Sequence, residues 1–390
     1  MQNGAVGLPL ARTAIAAFAL LAVACGGGGS EPDAVATGTW QPMSAAPIAG
    51  RTPAATQWTG KEMIVWAGGF CKANPCQFDN VEPLADGAAY DPAADSWRKI
   101  AQGPLAARTG TADAWTGKEL LVWGGGIGTT TVFDDGAAYD PATDTWRTLP
   151  PSPLGARRTS GVWTGKEFVL WGGRNIVETR YFSDGAAYDP ATDRWRMLPP
   201  FPLPARDRVD MAWTGKEVLV WGGGTSDEAF ADGAAYDPAA DRWRPISKSP
   251  LGPRFVQTNW TGKELVMWGG EDWAQVFDDG AAYDPATDTW RDLAAAPISA
   301  RIGTAQQWTG KEVLIWGGSP GTYNNFFADG AAYDPAADKW RFIPTWTGRL
   351  VGAEVWTGKE MVVWGGTVPT GGSSRTVEIN SAGDGQRYTP

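Results

Sequence analysis

The chain contains no histidine. That removes the imidazole general base, the Ser-His-Asp and Cys-His nucleophile pairs, and every His-ligated copper, zinc or iron site. Cysteine is scarce at three residues. A structural zinc site needs four ligands, and nothing near these cysteines completes a set. Positive charge is in deficit, with a net charge of −10. A phosphate backbone asks for fields of Lys and Arg, so nucleic acid is not the expected partner. No apolar run reaches the ~20 residues of a membrane-spanning helix. What is abundant is Gly, Pro and Trp, at 51, 29 and 23 residues, beside a hydrophobic content of 43%. These values suit a turn-rich all-β chain with a substantial core.

The longest apolar stretch, Thr13 to Ala24, follows Arg12 and reads as an export signal over residues 1–24. Ala22-Val23-Ala24 fits an ordinary signal-peptidase site. The same residues followed by Cys25 resemble a bacterial lipobox, although Ala22 stands where Leu is favoured. On the lipobox reading Cys25 carries lipid, residues 25–37 form a Gly/Ser-containing tether, and the protein sits in a bacterial envelope, held to the membrane only by that anchor. On the other reading it is periplasmic or secreted. Cys71 and Cys76 would then remain as a pair, expected to form a local disulfide in an oxidising compartment.

Trp-Thr-Gly-Lys-Glu occurs seven times, with its Trp at positions 58, 115, 163, 213, 260, 308 and 356. A period near 48 residues with turn signals between short apolar strands predicts a β-propeller. Each unit reads as four antiparallel strands. The first opens after an Arg and ends at the Trp. The second ends Trp-Gly-Gly. The third is Asp-Gly-Ala-Ala-Tyr-Asp-Pro, and the fourth carries Trp-Arg. The last unit stops at Tyr388-Thr389-Pro390 without its fourth-strand Trp. The missing piece lies at the other end as Gly38-Thr39-Trp40. An N-terminal strand should therefore complete blade seven and close the ring.

The double glycine, the third-strand Tyr, the fourth-strand Trp and the opening Arg stand in the order of the kelch repeat. The resemblance over residues 38–390 implies a seven-bladed kelch-type β-propeller. It implies no single function, since kelch proteins include interaction domains, copper oxidases and a sugar mutarotase. The copper site would require histidine ligands, and this chain has none.

A residue shared by every blade is expected to serve the blade, and a departure from the repeat is free to serve function. Three repeated positions absorb all tryptophans except Trp273 and Trp346, and the third strands absorb all tyrosines except Tyr181 and Tyr323. Topology puts all four on the face that also carries the variable loops, where exposed rings could hold a glycan or a peptide. Arg51, Arg108, Arg301 and Arg349, with Arg157 or Arg158, Arg206 or Arg208, and Arg254, should ring the channel on that face. Such guanidinium forks could bind carboxylates, as in some kelch interaction domains, or could brace adjacent blades. Asp113, Asp210 and Glu354 lie in or near first strands and could act as channel acid/base groups or as solvated polar groups. Glu271-Asp272 and Asp278-Asp279 could hold calcium but lack a loop motif.

The sequence thus predicts a monomeric, non-enzymatic binding module for a glycan, protein or peptide, with no cofactor and no metal. The alternatives are a mutarotase-type enzyme using carboxylates and Arg, and a purely structural envelope component.

Overall fold

The computed structural model describes residues 36–71, 81–200, 203–322, 325–370 and 378–390. Every regular element in them is a β-strand. Among the described residues the strands form seven antiparallel sheets, each with a four-strand path, and two short two-stranded ones in loops. In blade four these are Asp210–Trp213, Val218–Trp221, Gly233–Asp237 and Arg242–Pro245. The first strands of successive blades touch in chain order, and that of blade seven, Ala353–Trp356, touches that of blade one, Ala55–Trp58. The sheets therefore close a ring around a channel lined by first strands.

Closure follows the expected route. Thr39–Pro42 pairs with Gly385–Thr389 as the outer strand of blade seven, with Trp40 opposite Tyr388. Blade seven also shows a charge swap. Elsewhere the residue after the fourth-strand Trp is an Arg holding the turn Glu, as Arg244 holds Glu217 at 2.9 and 2.7 Å. Blade seven has Gln41 there, and the cation comes from its cross-strand partner Arg387, 3.8 Å from Glu360.

The repeat residues explain the sheets. Second strands such as Val218–Trp221 are continuous apolar runs because neighbouring blades bury both faces; no residue of that strand exceeds 1% exposure. The Ala-Ala of the third strands in blades one to six lets those blades approach closely. In the Thr-Gly-Lys-Glu turn of blade four, Thr214 Oγ1 accepts the N–H groups of Lys216 and Glu217, and Gly215 takes φ 90°. Gly222, first of the double glycine, has φ 67°, and a Cβ there would lie 2.7 Å from the carbonyl oxygen of Arg254. Blades are joined by indole pairs, such as Trp221 with Trp290 at 6.0 Å, and Trp290 donates to the carbonyl of Ser247 at 2.9 Å. A polar chain runs alongside: Arg244 donates to Tyr283 at 3.3 Å, and Tyr283 donates to Asp288 at 2.6 Å. Burial, and then the Asp288 carboxylate, push the Tyr283 phenol up to about 12.

Candidate functional site

The arginines that open the first strands are buried in their blades. Arg51, Arg108, Arg301 and Arg349 are at most 1% exposed. Each turns into its own blade toward the Asp of Asp-Gly: Arg51 to Asp86 at 2.5 Å, Arg108 to Asp135 at 2.6 Å, Arg301 to Asp329 at 2.9 Å and Arg349 to Asp384 at 3.3 Å. Arg108 and Arg301 also lie 4.0 and 4.1 Å above the rings of Phe133 and Phe327. Their backbone carbonyls accept the glycine N–H groups of the preceding blade, as Arg108 does from Gly68. Arg157, Arg206 and Arg254 do the same. The guanidinium ring expected at the channel is thus corrected to a ring of internal braces, because each fork already has a carboxylate of its own.

The four aromatic candidates separate. Trp346 is a blade residue. It lies three positions before Arg349, where Ile48, Leu105, Leu154, Leu203, Leu251 and Ile298 lie three before their own arginines, and those six are buried. It packs in the core between blades six and seven, 6.4 Å from Trp40. Tyr181 sits in the short strand Arg180–Tyr181 on the edge of blade three and accepts a hydrogen bond from Arg174 at 3.2 Å. Tyr323 lies outside the described residues, as do Cys25 and Cys76, and the side chain of Cys71 is likewise not described. Trp273 is the exposed member, at 53%.

Trp273 belongs to a cluster with Arg208, Phe255 and Glu271 whose assembly the repeat pattern had not marked. It adopts φ 77°, and Arg208 adopts φ 55°, both unusual for side chains with a Cβ. The guanidinium of Arg208 stands 4.0 Å from the Phe255 ring and 5.0 Å from Trp273, while Phe255 and Trp273 meet edge-on at 4.8 Å. Glu271 takes a hydrogen bond from Arg208 at 2.8 Å, and the Trp273 indole donates to the carbonyl of Thr225 at 3.1 Å. Beside it, Arg174 pairs with Asp207 at 3.3 Å, and Arg158 donates to the carbonyl of Gly128 at 2.9 Å. Burial raises the Asp207 carboxyl and lowers Arg158, the latter also repelled by Arg174. The cluster borders an open cavity of about 480 Å³ over blades four to six, lined by Arg208, Phe255 and Glu271 above and by Asp210, Gln257 and Gln306 below. This is the mouth of the channel on the variable-loop face. Strained, charged and aromatic groups gather there, as at binding sites.

Deeper in the channel, Gln257 of blade five donates to Glu354 of blade seven at 2.8 Å, spanning the bore past blade six. Asp210 accepts the N–H groups of Met211, at 2.9 Å, and Thr258. Asp113 accepts from Gln57 at 2.9 Å and from the N–H of Thr56 at 3.2 Å. Burial raises Asp113 and Asp210 to about 6 and Glu354 to about 7, the last also pushed by the Asp210 charge. These groups can hold protons near neutral pH. Three of the four carboxylates considered for calcium are otherwise engaged: Glu271 with Arg208, Asp279 with Arg254 at 2.6 Å, and Asp272 capping the N–H groups of Ala274 and Gln275. Among the described residues no group of three or more His, Cys, Asp or Glu is arranged to hold a metal.

A family model described as the KLHDC2/KLHL20/DRC7 Kelch-repeats domain matches residues 158–366, more than half of the chain. None of the curated proteins matches it.

Proposed function

The chain belongs to the kelch-repeat family of β-propellers, and from that premise we propose that it is a non-enzymatic binding module whose channel mouth over blades three to six holds a protein or peptide. Kelch propellers commonly serve as protein-interaction modules, and a binding role fits the fold. The observation that carries the site is the Arg208–Phe255–Trp273 cluster. Its Trp is half-exposed and its Arg is stacked on Phe255 with Trp273 beside it. Trp and Arg dominate the energetics of binding surfaces. At the rim Arg208, Arg174 and Arg158 gather around Asp207 and Glu271, with Asp210 below them, a concentration of cations on a chain whose net charge is −10. The ligand should therefore present an acidic or carboxylate group beside an apolar one. A mutarotase-type mechanism would draw on arginines that are instead buried against aspartates.

Selection from a displayed random-peptide library on the Cys25→Ser protein tests this reading. Peptides enriched in Asp or Glu beside an aromatic residue should emerge, and Arg208→Ala or Trp273→Ala should weaken them at least tenfold. Peptides that bind both variants like the parent would place the site elsewhere. The proposal includes an envelope tether through lipid on Cys25. Expression of the native chain with labelled fatty acid should label it, and Cys25→Ser should abolish both label and membrane partitioning.

A further inference from the structure

The opposite face carries a feature that blade packing leaves unused. The Lys of Trp-Thr-Gly-Lys-Glu recurs in all seven blades, at 61, 118, 166, 216, 263, 311 and 359, and every one is exposed. Among the described residues only Lys61 and Lys118 of these come within 4 Å of a carboxylate, at 3.9 and 3.7 Å from Asp91 and Asp140. The turn itself uses only the Lys backbone N–H. Exposure on this side does not of itself keep a residue constant. The equally exposed position before each fourth-strand Trp reads Thr39, Ser96, Thr145, Arg194, Arg242, Thr289 and Lys339 around the ring.

Lys166, Lys263, Lys311 and Lys359 border grooves between adjacent blades. Between blades three and four a cavity of about 600 Å³ lies among Lys166, Glu167, Arg196, Trp213 and Pro238. The same repeat positions enclose about 730 Å³ between blades five and six and about 570 Å³ between blades six and seven. These volumes fall within the usual range for small-ligand sites. In each, one wall is the part-exposed indole of the Trp-Thr-Gly turn, and the floor is the Arg-Glu pair, fixed at 2.7 Å for Arg196–Glu167. Arg and Glu cancel in charge, and Asp241 and Asp334 offset Lys in the first two grooves, so these do not select an anion, while among the described residues no Asp lines the groove between blades six and seven. Each offers a ring face for stacking, an ammonium with three rotatable donors and fixed acceptors.

We propose that this turn face is a repeated carbohydrate-binding surface, in which the inter-blade grooves take successive pyranose units of a neutral polysaccharide. A ligand with a repeat is what a ring of like sites can engage through several contacts at once. Affinity then comes from the number of grooves occupied, with each groove weak alone. The surface is separate from the channel mouth, and its test does not depend on that site.

Native affinity electrophoresis of the Cys25→Ser protein in gels containing dextran, pullulan, galactomannan, xyloglucan or a soluble β-1,3-glucan decides the matter. At least one of these should retard the protein, and its free monosaccharide should compete poorly. Single Lys→Gln changes should alter the apparent dissociation constant less than twofold. The combination Lys166→Gln, Lys263→Gln, Lys311→Gln and Lys359→Gln should raise it at least tenfold with unchanged melting, and the pair Arg208→Ala and Trp273→Ala should leave it alone. The proposal is overturned if no polysaccharide retards the parent, if the fourfold variant is retarded like the parent, or if the channel-mouth pair abolishes retardation.

Discussion

Arg206 and Arg208 stand two residues apart in blade four and belong to different parts of the molecule. Arg206 is buried against Asp232 at 2.6 Å, the carbonyl of Gly222 at 3.1 Å and the Phe230 ring at 4.0 Å, an arrangement with counterparts in the other blades. Arg208 is exposed, holds a left-handed backbone and reaches across to blade five to meet Glu271 and Phe255. The same residue type builds the ring in one place and presents chemistry in the other. What separates them is whether the repeat supplies a partner: every blade carries the Asp that consumes its first Arg, and no blade carries a second Asp-Gly for an additional one.

The two regions should fail differently. The largest effect is expected from removing residues 36–42. Blade seven would lose its outer strand, and Trp40 would leave Trp316 and Tyr388, at 4.8 and 5.0 Å, without cover. Calorimetry should show the sharp transition of the parent replaced by a broad one at lower temperature; an identical melt would refute ring closure by this strand. Next, Trp221→Ala should cost about 3–5 kcal/mol in denaturant unfolding, because its indole is 1% exposed between two blades.

A smaller effect comes from the channel acids. Asp113, Asp210 and Glu354 have folded-state values raised to about 6, 6 and 7. A raised carboxyl favours the folded state when protonated, so its contribution is complete below the unfolded value near 4 and is lost as pH rises through 6 to 7. The melting temperature should therefore rise between pH 7.5 and pH 5, by on the order of 2 kcal/mol per group at most. Asp210→Asn with Glu354→Gln should flatten that slope. A slope unchanged in the double variant would mean that these groups do not titrate in this window. The smallest effect is expected at the mouth: Trp273→Gly suits φ 77° and should shift stability by no more than about 1 kcal/mol, while peptide binding falls.

The fold was legible because seven near-copies state the blade openly, and because the Trp missing after Tyr388 reappears as Trp40. The site was only half legible. Trp273 stood out as a ring that no repeat position claims. Trp346 stood out for the same reason and is a blade residue, since counting by residue type hides a Leu or Ile position that Trp has taken. The arginines at 51, 108, 301 and 349 were located correctly on the chain, but the direction of a side chain is not written in its spacing. The pairing was nonetheless present in the repeat, which supplies one Asp-Gly aspartate for every opening Arg. The doubling at Arg157-Arg158 and at Arg206 and Arg208 was the best available pointer to the mouth, for it marks where a blade has an arginine beyond the one that its Asp-Gly aspartate holds. Phe255 and Glu271 carry no such mark, because their roles come from contacts between blades four and five.

The central claim is that departures from the repeat, and not the repeated arginines, form the variable-face site. It is tested most directly by measuring melting temperature and binding of a selected peptide side by side for Arg206→Ala and Arg208→Ala. Arg208→Ala should melt within a degree or two of the parent and lose at least tenfold in affinity, while Arg206→Ala should lose about 3 kcal/mol of stability and, below its transition, bind like the parent. An Arg208→Ala protein that keeps its affinity, with an Arg206→Ala protein that stays stable and loses it, would contradict the account.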